Sequence, residues 1–380
     1  MSQPTNRAET TGFPGRLRAV RQALKEKELD CLLVASRENV RYLLGFTGSA
    51  GWALVSADDA VLATDSRYVN QARAQVQFGR VCLAEQGLVD FAVRHASEKG
   101  VRTLGFEADI LSFATCRAIE SGIAEPGAGC RIAPVEGIVE SLRAVKDDSE
   151  LALIQAAASL ADRAFGHACS LLRCGMTEQQ LAWQIERWLR ENGSGPMPFS
   201  VIVASGPNAA LPHAEPSDRE FGQGEPIVMD LGATSGGYCS DLTRTVFLGE
   251  PEGGLGEVYR TVLAAQQEAI RGIRVGMRAS DADELARSVL RRAGLDGAFG
   301  HGLGHGVGLA IHESPTVSSR STDVLAEGMA FTVEPGVYLP GQGGVRIEDT
   351  VMLRDGVVRP LTRAVKHDPV VVVCQDVCRE

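Results

Sequence analysis

Leu17, Val20 and Leu24 recur at helical spacing, and the unbroken apolar run Cys31-Leu-Leu-Val-Ala35 follows directly. The spacing predicts a helix over Arg16–Lys27, and the run predicts a strand buried on both faces. Further strands are predicted over Trp52–Val55, Val61–Thr64 and Thr103–Phe106, with helices over Asp65–Ala74 and Leu88–Lys99. Between the first two strands, Tyr42–Gly51 carries Gly45, Gly48 and Gly51. No Gly-Lys-Ser/Thr follows them and a strand comes next, so the N–H cradle of a phosphate loop is missing and a tight loop is expected. Strands and helices alternate to about Pro134, which predicts an α/β domain with a mostly parallel or mixed sheet. It holds one histidine, His95, and no cluster of carboxylates.

The pattern changes at Arg143–Glu150. Asp148 or Ser149 is placed to cap a helix running to about Leu172, and a second helix is predicted from Thr177 to Glu191, ended by Asn192-Gly193. A strand over Ser200–Ala204 and a hairpin over Ile227–Phe247 follow. After Pro251 the order starts again. Helices are predicted over Leu255–Gly272 and from Ser280, with Ser280 and Asp283 as a capping box, to Gly294. Strands over Ala330–Glu334 and Val345–Leu353 complete the round, the latter with Arg346, Glu348 and Thr350 on one face. Two helices and then an acid-bearing strand pair occur twice, although no residue-level repeat accompanies them.

The chain has 380 residues, enough for two domains, with 44% hydrophobic and 23% charged residues. A net charge of -10 and the lack of any Lys/Arg-rich run argue against nucleic acid as a partner. No apolar run is long enough to span a membrane, and Met1–Pro14 lacks the apolar core of a signal peptide, so a cytoplasmic protein with a short disordered lead is expected. Nine scattered cysteines without a C-x-x-C pair fit reduced thiols. Cys374 and Cys378 are either a weak metal or redox pair or part of a fraying tail.

Candidate chemistry begins with the Ile227–Phe247 hairpin. Each of its apolar runs carries an aspartate, Asp230 and Asp241. If the loop centres between Ser235 and Gly236, the two lie opposite each other, about 5 Å apart at Cβ, where like charges repel. A divalent cation between them would turn repulsion into attraction. The alternative is an aspartate at a strand end in water. Glu334 and Glu348 on the second strand pair would bring two more carboxylates to the same centre if the halves pack face to face, and four could not all ionise there without compensating cations. A nitrogen ligand is expected from His301-Gly-Leu-Gly-His305-Gly-Val-Gly-Leu-Ala-Ile-His312-Glu313. His301 and His305 could share a helical face, but four interspersed glycines make a helix expensive, about 1 kcal/mol each, and favour a loop that approaches a ligand closely.

These residues carry a resemblance. Asp230, Asp241, His305, Glu334 and Glu348 stand in the contexts Met-Asp-Leu-Gly, Ser-Asp-Leu-Thr-Arg-Thr, His-Gly-Leu-Gly-His-Gly-Val-Gly, Thr-Val-Glu-Pro-Gly-Val-Tyr and Val-Arg-Ile-Glu-Asp-Thr. The set resembles the dinuclear centre of the pita-bread metallopeptidases, which include methionine aminopeptidase, aminopeptidase P and prolidase. Ser205-Gly-Pro-Asn-Ala-Ala-Leu-Pro-His213, with His301, His305 and His312, resembles the Xaa-Pro-cleaving branch. The first domain resembles the creatinase-type N-terminal domain of that branch.

The resemblance implies a lead over 1–15, a creatinase-type α/β domain over 16–146, and an α+β pita-bread catalytic domain with pseudo-twofold halves over 147–380. It implies two divalent metals held by Asp230, Asp241, His305, Glu334 and Glu348, with Asp241 and Glu348 bridging. The oxygen-rich set favours Mn²⁺, with Co²⁺ or Zn²⁺ as other candidates. The implied reaction is hydrolysis of Xaa-Pro bonds by a metal-bridged hydroxide, with Glu334 taking the proton of the water. His213 and His312 would hold the substrate and its oxyanion, His301 would line the proline site, and Arg346 would orient Glu348. An Xaa-Pro aminopeptidase is the first expectation and an Xaa-Pro dipeptidase its alternative. A binding homologue without catalysis and a creatinase-like hydrolase are disfavoured by the intact ligand set. A homodimer is also implied. Cys239, on the strand face of Asp241, is either a redox-sensitive neighbour of the metals or a packed small residue.

Overall fold

The computed structural model describes residues 12–124 and 129–372. Cys374 and Cys378 lie outside the described residues. The chain divides into two compact units at Arg143/Ala144.

The N-terminal unit is built on a six-stranded mixed sheet in the order Arg80–Leu83, Ala60–Thr64, Gly51–Ser56, Cys31–Val34, Thr103–Glu107, Arg131–Val135. Three of its strands, Cys31–Val34, Ala60–Thr64 and Thr103–Glu107, are buried along their whole length on both faces, as central strands of a covered sheet are. The first helix spans Gly12–Glu26 and so opens inside the expected lead. Phe13 packs against Phe78 with tilted rings, and the Arg16 guanidinium lies over the Tyr42 ring, which gives those early residues packing partners. Tyr42–Leu44 is the last turn of an unanticipated helix, Arg37–Leu44, capped by the Ser36 side chain and ended by Gly45 at φ 78°. The glycines that follow make room for a ring: a Cβ on Gly48 would sit 2.2 Å, and one on Gly51 2.8 Å, from Phe46.

The C-terminal unit repeats one plan. Helices Asp148–Leu171 and Glu178–Glu191 precede a four-stranded sheet ordered Val370–Val372, Leu242–Leu248, Pro226–Leu231, Ile202–Ser205. Helices Leu255–Gly272 and Ala279–Arg292 precede a five-stranded sheet ordered Glu313–Val317, Gly304–Gly306, Ala330–Val333, Asp349–Arg354, Val357–Pro360. Each helix pair buries its apolar stripe on its own sheet: Phe165 and Ile185 pack with Met229 and Val246, Tyr259 and Leu263 with Phe331 and Val351. Fully burying one such large side chain contributes roughly 1.5–3 kcal/mol.

Local details correct the expectations. The long helix is capped by Asp147, one residue before the expected positions, in a capping box with Glu150. The expected Ser280–Asp283 box does not form. The helix starts at Ala279, and the Asp283 carboxylate instead pairs with Arg287 and accepts from the Leu303 amide. The strand expected over Val345–Leu353 is broken at Ile347–Glu348. Gly343–Arg346 pairs with Gly336–Leu339, whereas Asp349–Arg354 pairs with Ala330–Val333. The apolar alternation Val345, Ile347 fails at Asp349 before resuming at Val351 and Leu353, and that interruption was the mark of the break in the sequence.

Candidate active site

The hairpin sets the first two carboxylates. Its turn residues are Gly236 and Gly237, at φ 52° and 82°, and Tyr238 pairs with Ser235. A two-residue type I′ turn needs positive φ at both centres, so Gly-Gly rather than Ser-Gly occupies them. This displaces the expected register. Asp230 lies opposite Thr243, not Asp241. Asp241 is two residues from Thr243 and so keeps the same face, and both aspartates line one cavity of about 450 Å³.

The second half brings the remaining groups to the same cavity: His301, His305, His312, Glu334, Arg346 and Glu348, with His213 from the first half. His305 sits on the short Gly304–Gly306 strand rather than in a loop. The flanking glycines serve close strand packing. A Cβ on Gly304 would lie 2.1 Å from the Thr332 carbonyl oxygen, and one on Gly306 2.2 Å from that of Ser314. Cys239 is not among the lining residues; its thiol faces the Leu309 carbonyl at 3.9 Å.

The hydrogen bonds assign the imidazoles. Nδ1 of His305 donates to the Gly306 carbonyl at 3.1 Å, which leaves the lone pair on Nε2. That atom faces Asp241 Oδ2 at 3.6 Å and Glu334 Oε1 at 3.5 Å. Burial, with His312 second, pulls the His305 pKa down to about 4, so the ring is neutral near pH 7. At these separations neither carboxylate makes a good hydrogen bond to the ring, so the lone pair is left facing both. Asp241, His305 and Glu348 also offer ligand atoms all within 4.8 Å of one another. Asp230 Oδ1 is buried without a hydrogen-bond partner, while its Oδ2 accepts from Arg346 at 2.7 Å. An orphaned oxygen, an imidazole lone pair and converging carboxylates fit a cation, and a histidine holding its other N–H on a carbonyl is the usual arrangement of a metal ligand.

Electrostatics agree. Burial, then Glu348, Asp230 and Glu334, push the Asp241 pKa well up. Burial, then Glu334 and Asp230, do the same to Glu348. Burial raises Glu334 to about 7, against the pull of Arg346. These acids repel one another where burial weakens screening, and among the described residues Arg346 is the guanidinium that bears on all three.

Arg346 differs from its expected role. It donates to Asp230, to the Tyr338 hydroxyl at 2.9 Å, to the Pro212 carbonyl at 3.2 Å and, through Nε, to Thr243 Oγ1 at 3.1 Å. It therefore orients Asp230 directly and reaches Glu348 only through Thr243, which donates to Glu348 Oε2 at 2.6 Å. Tyr338 in turn donates to Nε2 of His301 at 2.9 Å, because the His301 Nδ1–H is held by the Gly302 carbonyl. Thr243, Tyr338 and Thr332, which donates to Glu334 at 3.0 Å, are site residues missed in the sequence reading. Alternation along their strands could have flagged Thr243 and Thr332. The rings of His305 and His312 meet edge to face, their centroids 4.1 Å apart.

A two-helix, one-sheet plan used twice around a cavity of acids and histidines defines a hydrolytic metal-site scaffold. The chain belongs to metallopeptidase family M24, which residues 152–355 match, and residues 16–145 match the creatinase/prolidase N-terminal domain. It is thus a creatinase-type N-terminal domain followed by a pita-bread domain. It is 38% identical to a structure of an Xaa-Pro dipeptidase from Bacillus anthracis, with a TM-score of 0.90 over 95% of this chain and 100% of that one. It is 33% identical to an Xaa-Pro dipeptidase of Pyrococcus furiosus, over 92% of this chain and 97% of the relative. It is also 35% identical to an X-Pro aminopeptidase structure from Thermotoga maritima, with a TM-score of 0.85 over 94% of this chain and 99% of that one. No helix among the described residues is long and apolar enough to cross a membrane.

Proposed function

We propose that the protein is a metal-dependent Xaa-Pro dipeptidase. The first expectation, an aminopeptidase, gives way to its alternative because the dipeptidase name recurs among relatives that cover nearly the full length of both chains. The observation that carries the metal-dependent reading is the His305 Nε2 lone pair set against Asp241 and Glu334.

Asp230, Asp241, His305, Glu334 and Glu348 would hold two divalent cations. The oxygen-rich donor set supports Mn²⁺ ahead of Zn²⁺ or Co²⁺. When bound, the pair would polarise the scissile carbonyl and acidify an attacking water. The chain's own groups do the rest. Glu334 takes the proton of the attacking water on its carboxylate. His213 and His312, both exposed at the cavity, donate to the substrate and to the oxyanion that develops on its carbonyl oxygen. His301, its ring fixed by Tyr338 and packed on Phe299 at 5.0 Å, gives the proline ring a wall. Arg346 holds Asp230 and the Pro212 carbonyl. An X–Pro bond has no N–H, so a groove that grips peptide N–H groups cannot use it, and a site that works on the carbonyl side can.

The free thiols Cys31, Cys82, Cys116, Cys130 and Cys169 support a reducing, cytoplasmic setting. The family resemblance supports a homodimer, which light scattering after gel filtration would test. The functional test is hydrolysis of Xaa-Pro and Xaa-Pro-Yaa peptides by chelated protein reloaded with Mn²⁺. Dipeptide cleavage that requires the metal is expected. Faster cleavage of the longer peptides would restore the aminopeptidase reading, and no cleavage of either would overturn both.

A further inference from the structure

The histidine contributed by the first half, His213, rides on a segment tied down by a carboxylate with no other evident task. Glu178 is the first residue of the Glu178–Glu191 helix and is fully buried. Its Oε1 accepts from the Ser205 amide at 2.6 Å, the Ser205 hydroxyl at 2.8 Å and the Asn208 side-chain amide at 3.2 Å. Its Oε2 accepts from the Ser217 amide at 3.0 Å, the Ser217 hydroxyl at 2.6 Å and Asn208 again at 3.1 Å. Ser205 and Ser217 bracket the segment that carries His213. Glu178 therefore closes that segment into a loop from inside.

The far side of the loop is held too. Arg219 donates to Ser205 Oγ at 2.7 Å and pairs with Glu225 at 2.6 Å. The Pro212 carbonyl, next to His213, accepts from Arg346. Ala209 presses its carbonyl so closely on Gly344 that a Cβ there would lie 2.0 Å away. His213 itself is exposed at the cavity, with little packing of its own to hold it. Its position is thus inherited from the loop, and Glu178 is the one group that ties both ends of the loop, Ser205 and Ser217, to a single side chain.

We propose that Glu178 is a positioning residue for His213, setting the histidine's distance to bound substrate through the Ser205–Ser217 loop. Only a carboxylate suits the post. Five donor atoms converge on it, three on each oxygen with Asn208 shared, and a glutamine would turn an NH₂ group toward a backbone N–H and the Asn208 amide, donor against donor. The proposal rests on the reading that His213 touches substrate.

The test compares Glu178→Gln, His213→Ala and the double variant, with the milder Ser217→Ala as a second probe that keeps the carboxylate. Glu178→Gln is expected to lower kcat/KM about tenfold to a hundredfold, the scale of a small misplacement of a substrate-contacting group. The loss should fall on the same parameter, kcat or KM, that His213→Ala changes, with metal content unaltered. The double variant should be no worse than His213→Ala alone, because a histidine already removed cannot be misplaced. Ser217→Ala should shift the kinetics in the same direction by less. Amide hydrogen exchange across 205–217, which does not depend on activity, should rise in Glu178→Gln. Multiplying losses in the double variant, or unchanged exchange in the loop, would overturn the proposal. Raised exchange with a silent His213→Ala would overturn it too, and would place the fault in the substrate role of His213 rather than in the loop.

Discussion

Glu348 and Asp349 are consecutive, and both side chains are buried in the C-terminal unit. Asp349 is surrounded by the chain's own cations and donors. It accepts from Arg244 at 2.7 Å, Gln266 at 2.7 Å, Thr362 at 2.8 Å and Lys366. Burial alone would raise its pKa, but Arg244 and Lys366 outweigh that and hold it well below the carboxylate range. Glu348, facing the cavity, receives one hydroxyl from Thr243 and is pushed up by burial and by Glu334 and Asp230. Two consecutive residues therefore supply one acid whose countercharge is encoded and one whose countercharge is not. Where an acid serves the fold, the chain compensates it. In the cavity it leaves a deficit that a divalent cation would fill.

The largest effects should come from neutralising each acid in turn, with opposite outcomes. Asp349→Asn leaves Arg244 and part of Lys366 buried without their partner, and should cost about 3–5 kcal/mol in denaturant unfolding. Glu348→Gln should leave the metal-free protein as stable or more so, since it removes a repelling charge. It should still lower kcat/KM by more than the roughly 10–100-fold typical of changes one shell further from a metal. Equal destabilisation by both substitutions would erase the contrast.

A smaller effect should appear in pH dependence. In metal-free protein the Glu334 pKa is raised from 4.5 to about 7. A carboxyl raised in the folded state adds stability below its unfolded pKa, and that contribution is lost as pH rises through the folded value. Asp241 and Glu348 shift in the same direction. Chelated protein should therefore lose stability between about pH 4.5 and 7 relative to metal-loaded protein. Parallel melting curves for the two forms across that window would contradict this. Least of all, Gly236→Ala should cost about 1 kcal/mol through its positive φ, with a further clash because its Cβ would lie 2.8 Å from Leu153. A thermal melt without any shift would remove the type I′ turn as the feature that sets the register of Asp230 and Asp241.

What the sequence made legible follows the same division. The five candidate ligands and three outer histidines each stand in a distinctive local context, and they do meet at one cavity. The Leu255–Gly272 helix is found where its apolar spacing placed it. The compensating network was hidden because its members lie far apart: Arg244, Gln266, Asp349 and Lys366 are joined only by the fold. Glu178 looked like an ordinary first-turn acid, and nothing local announces that it receives five donor atoms from a distant loop. The hairpin register was within reach, since Gly236-Gly237 is what a two-residue loop demands. Asp283 shows the opposite failure, a good local capping pattern overridden when Arg287 and Leu303 claimed its carboxylate.

The most direct test is calorimetric titration of chelated protein with Mn²⁺ at neutral pH, in buffers of different ionisation enthalpy, with Asp241→Asn in parallel. Two cations per chain should bind with release of protons from the cavity acids, and Asp241→Asn should lose that binding. Absence of binding by the unaltered protein, or identical titrations for both proteins, would contradict a cavity whose missing charge is supplied by metal.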